Sequence, residues 1–168
     1  LQYTDLVEPL SLDEAYLDVT GSTLFSGSAT LIAKAIKEQV KQETGLTASA
    51  GISYNKFLAK IASDMDKPDG LFVVLPSAAE DLLESLAIRK FHGIGKATEQ
   101  KMKALGIECG YDLKQWSQSR LQKYFGRMGV YYYGIVRGED ERQVHNNRTR
   151  KSIGAETTFN TDLVATEE

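Results

Sequence analysis

Two adjacent carboxylates, Asp13 and Glu14, are the residues of this sequence best suited to chemistry. They lie in a short acidic segment, Ser11-Leu12-Asp13-Glu14-Ala15, between two apolar stretches. Adjacent side chains of a strand point to opposite faces, but a turn or bulge lets both carboxylates reach one cation. Hard divalent cations such as Mg²⁺ prefer carboxylate oxygens, and a bound metal reduces the repulsion between the two charges. The pair is therefore a candidate metal site, and the alternative is an exposed acidic turn.

A single lysine, Lys67, is the second candidate. It stands in Lys67-Pro68-Asp69-Gly70, which predicts a turn because Pro and Gly both interrupt regular structure. The turn precedes an apolar strand, and an ammonium at the edge of a strand can meet a phosphate. The alternative is a lysine that is simply solvated.

The glycine-rich segment Phe91–Thr98 is the third candidate. It is not a dinucleotide fingerprint, because it follows no predicted strand and Thr98 stands where a third glycine would be. The pattern fits a helix-hairpin-helix, in which Gly93 and Gly95 let backbone N–H groups approach a DNA phosphate at the start of a helix. Such contact is independent of base sequence. The lysines around it are Lys90, Lys96, Lys101 and Lys103. The alternative is a purely structural glycine turn between two helices.

The charge of the chain is unevenly distributed. The net charge of the 168 residues is −3. Residues 89–151 contain 14 Lys and Arg against 6 Asp and Glu, a net charge of +8, so the remaining residues carry −11. A basic part joined to an acidic part favours a polyanionic partner for the basic part, and a solvated lysine-rich surface is the alternative.

The remaining composition sets the class of protein. Cys109 is the only cysteine, so no internal disulfide can form, and a reducing, cytoplasmic setting is the simplest expectation. No apolar run approaches the ~20 residues that span a bilayer, so no membrane partner is expected. Leu1 begins within a pattern and no initiator Met precedes it, so we expect the chain to be an excised fragment.

The periodicity of apolar residues divides the chain near Pro76. Before it, periods of two and of 3.6 alternate, which predicts one mixed sheet with two helices on one face. The predicted segments are two strands within Leu10–Thr20, a helix between Ser28 and Gly45, a strand at Leu46–Ser53, a helix capped by Asn55, and a strand at Leu71–Leu75.

From Pro76 to Gly138 only helical patterns occur, interrupted by glycines. A capping box of Ser77 and Glu80 is expected to open the first of these helices. Residues 139–151 are charged and aperiodic, which predicts a linker, and a new strand is expected from Ser152. The fold class is therefore α+β, with an α/β part followed by a small all-helical part.

Four of these stretches together resemble the Y-family translesion DNA polymerases, with the DNA polymerase IV (DinB-like) subgroup as the nearest. The stretches are Ser11–Val19, Asn55–Gly70, Phe91–Lys96 and Arg150–Phe159. The resemblance covers nearly the whole chain. It implies a partial palm at residues 1–75, a thumb at 76–138, a linker at 139–151 and the start of a little finger domain at 152–168.

The resemblance also implies roles for the candidate residues. Asp13 and Glu14 would be catalytic ligands of two Mg²⁺ ions, and Lys67 would contact the incoming deoxynucleoside triphosphate. The DNA contacts would come from Lys90, Gly93, Gly95, Lys96 and Lys101. The implied partners are primer-template DNA, deoxynucleoside triphosphates and, through a missing C-terminal region, a sliding clamp.

The implied activity is template-directed, error-prone DNA synthesis in the whole protein. The family's third carboxylate lies in an N-terminal strand that this sequence does not contain, so we expect the fragment itself to be inactive. The alternative function is a non-catalytic, sequence-independent DNA-binding module that uses the helix-hairpin-helix. The acidic pair together with Lys67 separates the two functions, because a pure binding module has no use for these residues in one cleft.

Overall fold

The computed structural model describes residues 2–146, Gly154 and Glu156. Residues 2–75 alternate strands and helices, whereas residues 76–138 are helical, as the change of period predicted. The elements are β1 (Val7–Pro9), β2 (Ala15–Leu17), α1 (Ala29–Thr44), β3 (Ala50–Ile52), α2 (Lys56–Met65), β4 (Leu71–Val73), α3 (Pro76–Ser85), α4 (Lys96–Ala104), α5 (Gly110–Lys114), α6 (Gln118–Phe125) and α7 (Arg127–Ile135). Short 3-10 helices occur at Leu24–Gly27 and Ile88–Lys90.

The four strands form two separate pairs rather than the single mixed sheet that the sequence predicted. Strands β1 and β2 are antiparallel, with Glu8 opposite Tyr16. Strands β3 and β4 are parallel, with Gly51 opposite Phe72. Each strand is only three residues long, and no ladder joins β2 to β3 in the part of the chain that the structure describes. Short strands offer few hydrogen bonds with which to extend a sheet, so period alone did not fix how the pairs join.

Helices α1 and α2 begin where their caps predict. The hydroxyl of Ser28 accepts a hydrogen bond from the backbone N–H of Leu31, at 3.3 Å, and α1 ends at Gly45, which is left-handed. The Asn55 side chain accepts from the N–H of Leu58 at 2.9 Å and starts α2. Both helices contact β3 and β4, so the parallel pair and the two helices form one layered unit.

The helical part begins differently from the prediction. Helix α3 starts at Pro76, with Leu75 as its N-cap and no side-chain hydrogen bond at the cap, so the capping box expected from Ser77 and Glu80 is wrong. Proline suits the first helical position because its missing N–H has no intrahelical acceptor there, and this moves the start ahead of Ser77. Within residues 76–138 the structure has no strand, only an isolated antiparallel bridge between Ala87 and Cys109.

One hydrophobic core runs through both parts of the molecule. Phe57 on α2 and Phe91 in the helical part are both fully buried, and their ring centroids lie 5.8 Å apart. Leu83, Ile107 and Ile135 belong to the same buried cluster. The parts that differ in secondary structure are thus packed against each other, and their division into two domains stays a prediction.

The charged segment after α7 is packed against the rest of the molecule as far as the structure describes it. The Asp140 carboxylate accepts a hydrogen bond from the N–H of Phe57 at 3.0 Å, and its side chain is only 2% exposed. The carbonyl of Gly138 accepts from the Asn55 amide at 2.8 Å. Residues 138–146 therefore lie along α2 and β1. The strand predicted from Ser152, and the little finger start at 152–168, lie outside the described residues apart from the exposed Gly154 and Glu156.

None of the helices described is both long and apolar enough to cross a membrane.

Candidate active site

The acidic pair lies in the loop that joins β1 to β2. The loop is closed by backbone hydrogen bonds from the N–H groups of Leu10 and Ser11 to the carbonyl of Glu14, at 2.8 and 3.2 Å. Leu12 stands fully exposed at its tip. Asp13 is exposed, and the Glu14 side chain is 36% exposed. The turn places both carboxylates at one end of the antiparallel pair, open to solvent.

Ser11 holds Asp13 in place. Its hydroxyl donates to Asp13 Oδ1 at 2.7 Å and lies 3.5 Å from Glu14 Oε2. This hydrogen bond, followed by one from the backbone N–H of Asp13 itself, lowers the pKa of the Asp13 carboxyl, and the charges of Lys67 and Lys60 lower it further. The Asp13 carboxylate is therefore ionised at neutral pH and close enough to both lysines to feel their charge.

A chain of alternating charges connects Glu14 to Lys67. Glu14 Oε1 accepts from Lys60 Nζ at 2.7 Å. The same ammonium lies 3.4 Å from Asp64, whose other carboxylate oxygen lies 2.6 Å from Lys67 Nζ. The spacing of 60, 64 and 67 puts these three side chains on one face of α2 and the turn that follows it. The structure thus brings Asp13, Glu14 and Lys67 to one place.

The ammonium of Lys60 is the best shielded charge in this group. Its side chain is 12% exposed. Burial acts to lower the pKa of Lys60, but the hydrogen bond that Lys60 donates to Glu14 and the charges of Asp64 and Glu14 outweigh it, so the pKa is raised overall. For Asp64, burial acts to raise the pKa, but the hydrogen bond and charge of Lys67, together with Lys60, lower it overall. Lys60 and Asp64 are therefore both charged at neutral pH.

The donor set at the turn fits a hard divalent cation in part. No cluster of three or more His, Cys, Asp or Glu that could hold a metal occurs among residues 2–146, Gly154 and Glu156. Two carboxylates from neighbouring positions are nevertheless the oxygen ligands that Mg²⁺ uses together with substrate phosphates. Asp13 and Glu14 would be the ligands that this chain supplies.

Ser11 and Lys60 were not predicted as site residues from the sequence. For Ser11, the signal was a hydroxyl two positions before an acidic residue in a turn, which can hydrogen-bond locally. For Lys60, the signal was the i, i+4 spacing to Asp64, but its contact with Glu14 bridges 46 positions and depends on how α2 packs beside the acidic turn.

The predicted helix-hairpin-helix is present as a 3-10 helix, a tight turn and α4. The N–H of Ile94 donates to the carbonyl of Phe91 at 3.0 Å, which closes a four-residue turn. Gly93 has φ of +92° there, a conformation that favours glycine. Gly95 is the N-cap of α4, and Gly93, Gly95 and Lys96 are all exposed. The unpaired N–H groups at the start of α4 can therefore meet a phosphate, as the prediction requires.

The lysines around the hairpin differ in their contacts. Lys90 and Lys96 are exposed. Lys101 Nζ donates to the carbonyl of Tyr124 at 2.5 Å, in the last turn of α6, and lies 5.1 Å from the centroid of the Phe125 ring. Lys103 pairs with Glu99 at 2.7 Å. Lys90 and Lys96 are thus better placed than Lys101 to reach DNA.

The pKa of His92, in the hairpin, responds to charges from other parts of the chain. Burial lowers the pKa of the His92 imidazole, the charges of Lys60 and Arg142 lower it further, and those of Glu14 and Asp64 oppose the shift. Lys60 and Asp64 on α2, Glu14 in the acidic turn and Arg142 after α7 therefore all influence the charge state of His92.

Known families match the two parts separately. Residues 1–64, which contain the acidic turn, match the impB/mucB/samB family. Residues 76–107, which contain the hairpin, match the HHH motif of the IMS family.

Curated relatives of similar sequence are named as forms of DNA polymerase IV. The chain is 59% identical over 163 residues to "DNA polymerase IV 3" of Mesorhizobium japonicum, a match that covers 97% of this chain and 45% of the relative. It is 53% identical over 167 residues to "DNA polymerase IV" of Clostridioides difficile, covering 99% of this chain and 46% of that relative. The chain thus spans a little under half the length of these relatives.

Solved structures agree with the sequence matches. A Y-family DNA polymerase chimera of Dbh and Dpo4 is 32% identical with a TM-score of 0.80, covering 89% of this chain and 44% of the chimera. An insertion ternary complex of Dbh DNA polymerase is 32% identical with a TM-score of 0.78, covering 86% of this chain and 43% of that chain.

Proposed function

Because this chain belongs to the Y family of DNA polymerases, in its DinB-like branch, we propose that it carries part of the active site for error-prone, template-directed DNA synthesis. The single observation that supports this most is the grouping of Asp13, Glu14 and Lys67 in one charged cluster, in a chain that also carries the Gly93–Gly95 hairpin. In the proposed division, residues 1–75 are part of the palm, 76–138 the thumb, 139–151 a linker and 152–168 the start of the little finger.

In the proposed reaction the 3′-oxygen of a primer attacks the α-phosphorus of a deoxynucleoside triphosphate. A new P–O bond forms, the bond to the β-phosphate oxygen breaks, and pyrophosphate leaves. Asp13 and Glu14 present carboxylate oxygens where the primer end and the triphosphate meet. Bound Mg²⁺ ions, two in the whole enzyme, would supply charge stabilisation at the phosphates and lower the pKa of the attacking hydroxyl.

The lysines have separate proposed roles. Lys67, exposed at the end of the charge chain, would exchange its contact with Asp64 for the phosphates of the incoming nucleotide. Lys60 stays with Glu14 and holds that carboxylate in position. Both roles depend on charge and hydrogen bonding rather than on proton transfer.

The thumb would hold primer-template DNA by contacting the phosphates of the DNA backbone. The hairpin offers the exposed Gly93, Gly95 and Lys96 and the start of α4, with Lys90 beside them. These groups recognise phosphates rather than bases, which suits an enzyme that must follow any template. Lys101 contributes less, because its ammonium already caps α6.

The setting of the whole protein follows from the same proposal. A polymerase that acts on bacterial DNA works in the cytoplasm, where the single thiol of Cys109 stays reduced. A sliding clamp would be met through parts of the protein beyond those in this chain.

The test is primer extension by a full-length polymerase that contains this sequence. With Mg²⁺ and a labelled primer-template, each of the four deoxynucleoside triphosphates is supplied alone. The proposal expects extension chiefly with the nucleotide complementary to the template base, and across a damaged base as well. A protein that binds the DNA but adds no nucleotide under any condition would instead be the non-catalytic binding module.

A further inference from the structure

The turn that bears Lys67 is fastened to the distant helix α1 by a single lysine, Lys37. The Lys37 ammonium donates to the carbonyl of Asp69 at 2.6 Å and to the carbonyl of Gly70 at 2.9 Å. Its third contact is the carboxylate of Asp69, at 3.2 Å. An ammonium has three donors, so this turn takes all of them. The Lys37 side chain is 16% exposed, which strengthens these contacts relative to those of a surface lysine.

The turn needs external support because its own backbone is constrained. Asp69 has φ of +54°, a left-handed conformation that costs energy in a residue other than glycine. Gly70 is buried, and a Cβ built on it would lie 1.8 Å from the carbonyl oxygen of Asp66. The Gly70 N–H donates to Ser49 Oγ at 3.2 Å, and its carbonyl also accepts from Ala50 N at 3.0 Å. The end of the turn is therefore fixed on β3, and Lys37 fixes the residues between that anchor and Lys67.

We propose that Lys37 is a positioning residue for nucleotide binding, which acts by holding the Lys67–Gly70 turn so that the Lys67 ammonium meets the triphosphate. The proposal rests on the proposed role of Lys67 in the polymerase reaction. Lys37 lies on α1 and touches neither the acidic pair nor the hairpin among the contacts of the described residues. It therefore acts on nucleotide binding through the turn and leaves the binding of DNA unchanged.

The experiment is a double-mutant cycle in the full-length polymerase, with Lys37→Met and Lys67→Ala alone and together. Steady-state kinetics give the KM for the complementary nucleotide and kcat, and titration gives the Kd for primer-template DNA. Lys37→Met should raise the KM and lower kcat/KM on the order of tenfold, below the roughly 100-fold that a 1 Å misplacement can cost. The Kd for DNA should be unchanged.

The cycle separates positioning from a general loss of structure. In the Lys67→Ala background, adding Lys37→Met should change the KM by less than about twofold, because the residue that it positions is already gone. Lys37→Arg keeps donors for the two carbonyls and should restore most of the wild-type KM. Lys34→Met is the matched control, because Lys34 is exposed one turn earlier on α1, and it should behave as wild type.

Several outcomes would overturn the inference. An unchanged KM in Lys37→Met, or an equal loss in both backgrounds, would show that Lys37 does not act through Lys67. Should Lys37→Met fail to fold, Lys37→Gln, whose amide still donates to one carbonyl, is carried through the same cycle with a smaller expected effect. If Lys67→Ala alone leaves the KM unchanged, the role proposed for Lys67 fails too, whereas a raised KM in Lys67→Ala with a normal Lys37→Met removes only the inference about Lys37.

Discussion

A buried ammonium, that of Lys56, ties three segments of the chain together. Lys56 Nζ lies 2.7 and 2.8 Å from the two carboxylate oxygens of Glu8 and 3.1 Å from the carbonyl of Gln143. It also lies 5.0 Å from the centroid of the Tyr16 ring. These contacts join α2, the β1–β2 pair and the segment after α7. Since the Lys56 residue is 8% exposed, its charge depends on the Glu8 carboxylate for compensation.

Glu8→Gln should therefore destabilise this chain at neutral pH but not at acidic pH. We expect a loss of roughly 1–2 kcal/mol at neutral pH, less than the ~3–5 kcal/mol of a fully buried pair because the Glu8 side chain is 18% exposed. The hydrogen bond from Lys56 lowers the pKa of Glu8 below 4.5, although burial opposes this. The folded state thus binds fewer protons than the unfolded state, so the contribution is complete above about pH 4.5 and is lost as the pH falls through the folded pKa.

Urea unfolding of both proteins between pH 3 and pH 7 measures this difference. The two stability curves should converge at the acid end. Glu43→Gln, at an exposed position on α1, is the control and should follow wild type throughout. A difference that persists undiminished at the lowest pH would mean that Glu8 acts through packing rather than charge.

For individual residues, the sequence indicated which side chains are chemically unusual but not which residues they contact. Asp13 and Glu14 stood out because two neighbouring carboxylates in a turn are chemically unusual, and in the structure they lie in the turn between β1 and β2. Lys60 and Lys37 did not stand out, since a lysine on a helix is usually solvated. Their contacts span 46 and 33 positions, and such pairs exist only once the helices are packed.

The hairpin and α4 form the element that we propose contacts DNA. We expect the double variant Lys90→Ala, Lys96→Ala to flatten the slope of log K against log salt by about 1–2 units, at roughly 0.9 for each lost phosphate contact. Fluorescence anisotropy with a labelled duplex at several salt concentrations measures the slope.

Lys101→Ala is the informative comparison for the same element. Because Lys101 caps the last turn of α6, its loss should lower the free energy of unfolding by about 1 kcal/mol and leave the salt slope nearly unchanged. A slope that is unaffected by Lys90→Ala, Lys96→Ala but flattened by Lys101→Ala would reverse this assignment. A slope unaffected by all three substitutions would make the hairpin purely structural.

The elements themselves were predictable where local chemistry decides them. Ser28 and Asn55 cap α1 and α2 as predicted, because a side-chain oxygen satisfies backbone N–H groups within three residues. The same reasoning failed at Ser77, where Pro76 begins the helix earlier. Strand β1 also lies at Val7–Pro9, before the predicted start at Leu10, since pairing with β2 sets its register.

For the whole molecule, the continuous core predicts a single unfolding transition. Trp116, the only tryptophan, is buried in the helical part, whereas the far-ultraviolet signal also reports α1 and α2 in the first part. Fluorescence and circular dichroism should therefore report the same urea midpoint.

Phe91→Ala should lower the free energy of unfolding by about 3–5 kcal/mol, because Phe91 is fully buried and packs on Phe57. The urea midpoints measured by fluorescence and by circular dichroism should fall together. Tyr111→Ala, at an exposed position, is the control. Two separate midpoints, or a shift of the fluorescence alone, would mean that the two parts unfold independently despite their shared core.

The fold class was predictable from period, but the joining of its parts was not. The change from mixed periods to a purely helical one marks the boundary near Pro76, as found. The predicted single sheet instead consists of the pairs β1–β2 and β3–β4. Which strand edges meet depends on long-range packing, for which a period of two carries no information.

The central claim is that Asp13 and Glu14 are the metal ligands required for nucleotidyl transfer. Single-turnover nucleotide incorporation tests this claim most directly. In a full-length polymerase that contains this chain, Asp13→Ala and Glu14→Ala should each slow incorporation by at least about 100-fold, since stabilisation of the reacting phosphate is lost. The Kd for primer-template DNA should be unchanged. Asp18→Asn is the control, because the Asp18 carboxylate hydrogen-bonds locally to Thr20, whose N–H donates to it at 2.9 Å, and this variant should behave as wild type. Incorporation by Asp13→Ala at near the wild-type rate would contradict the account.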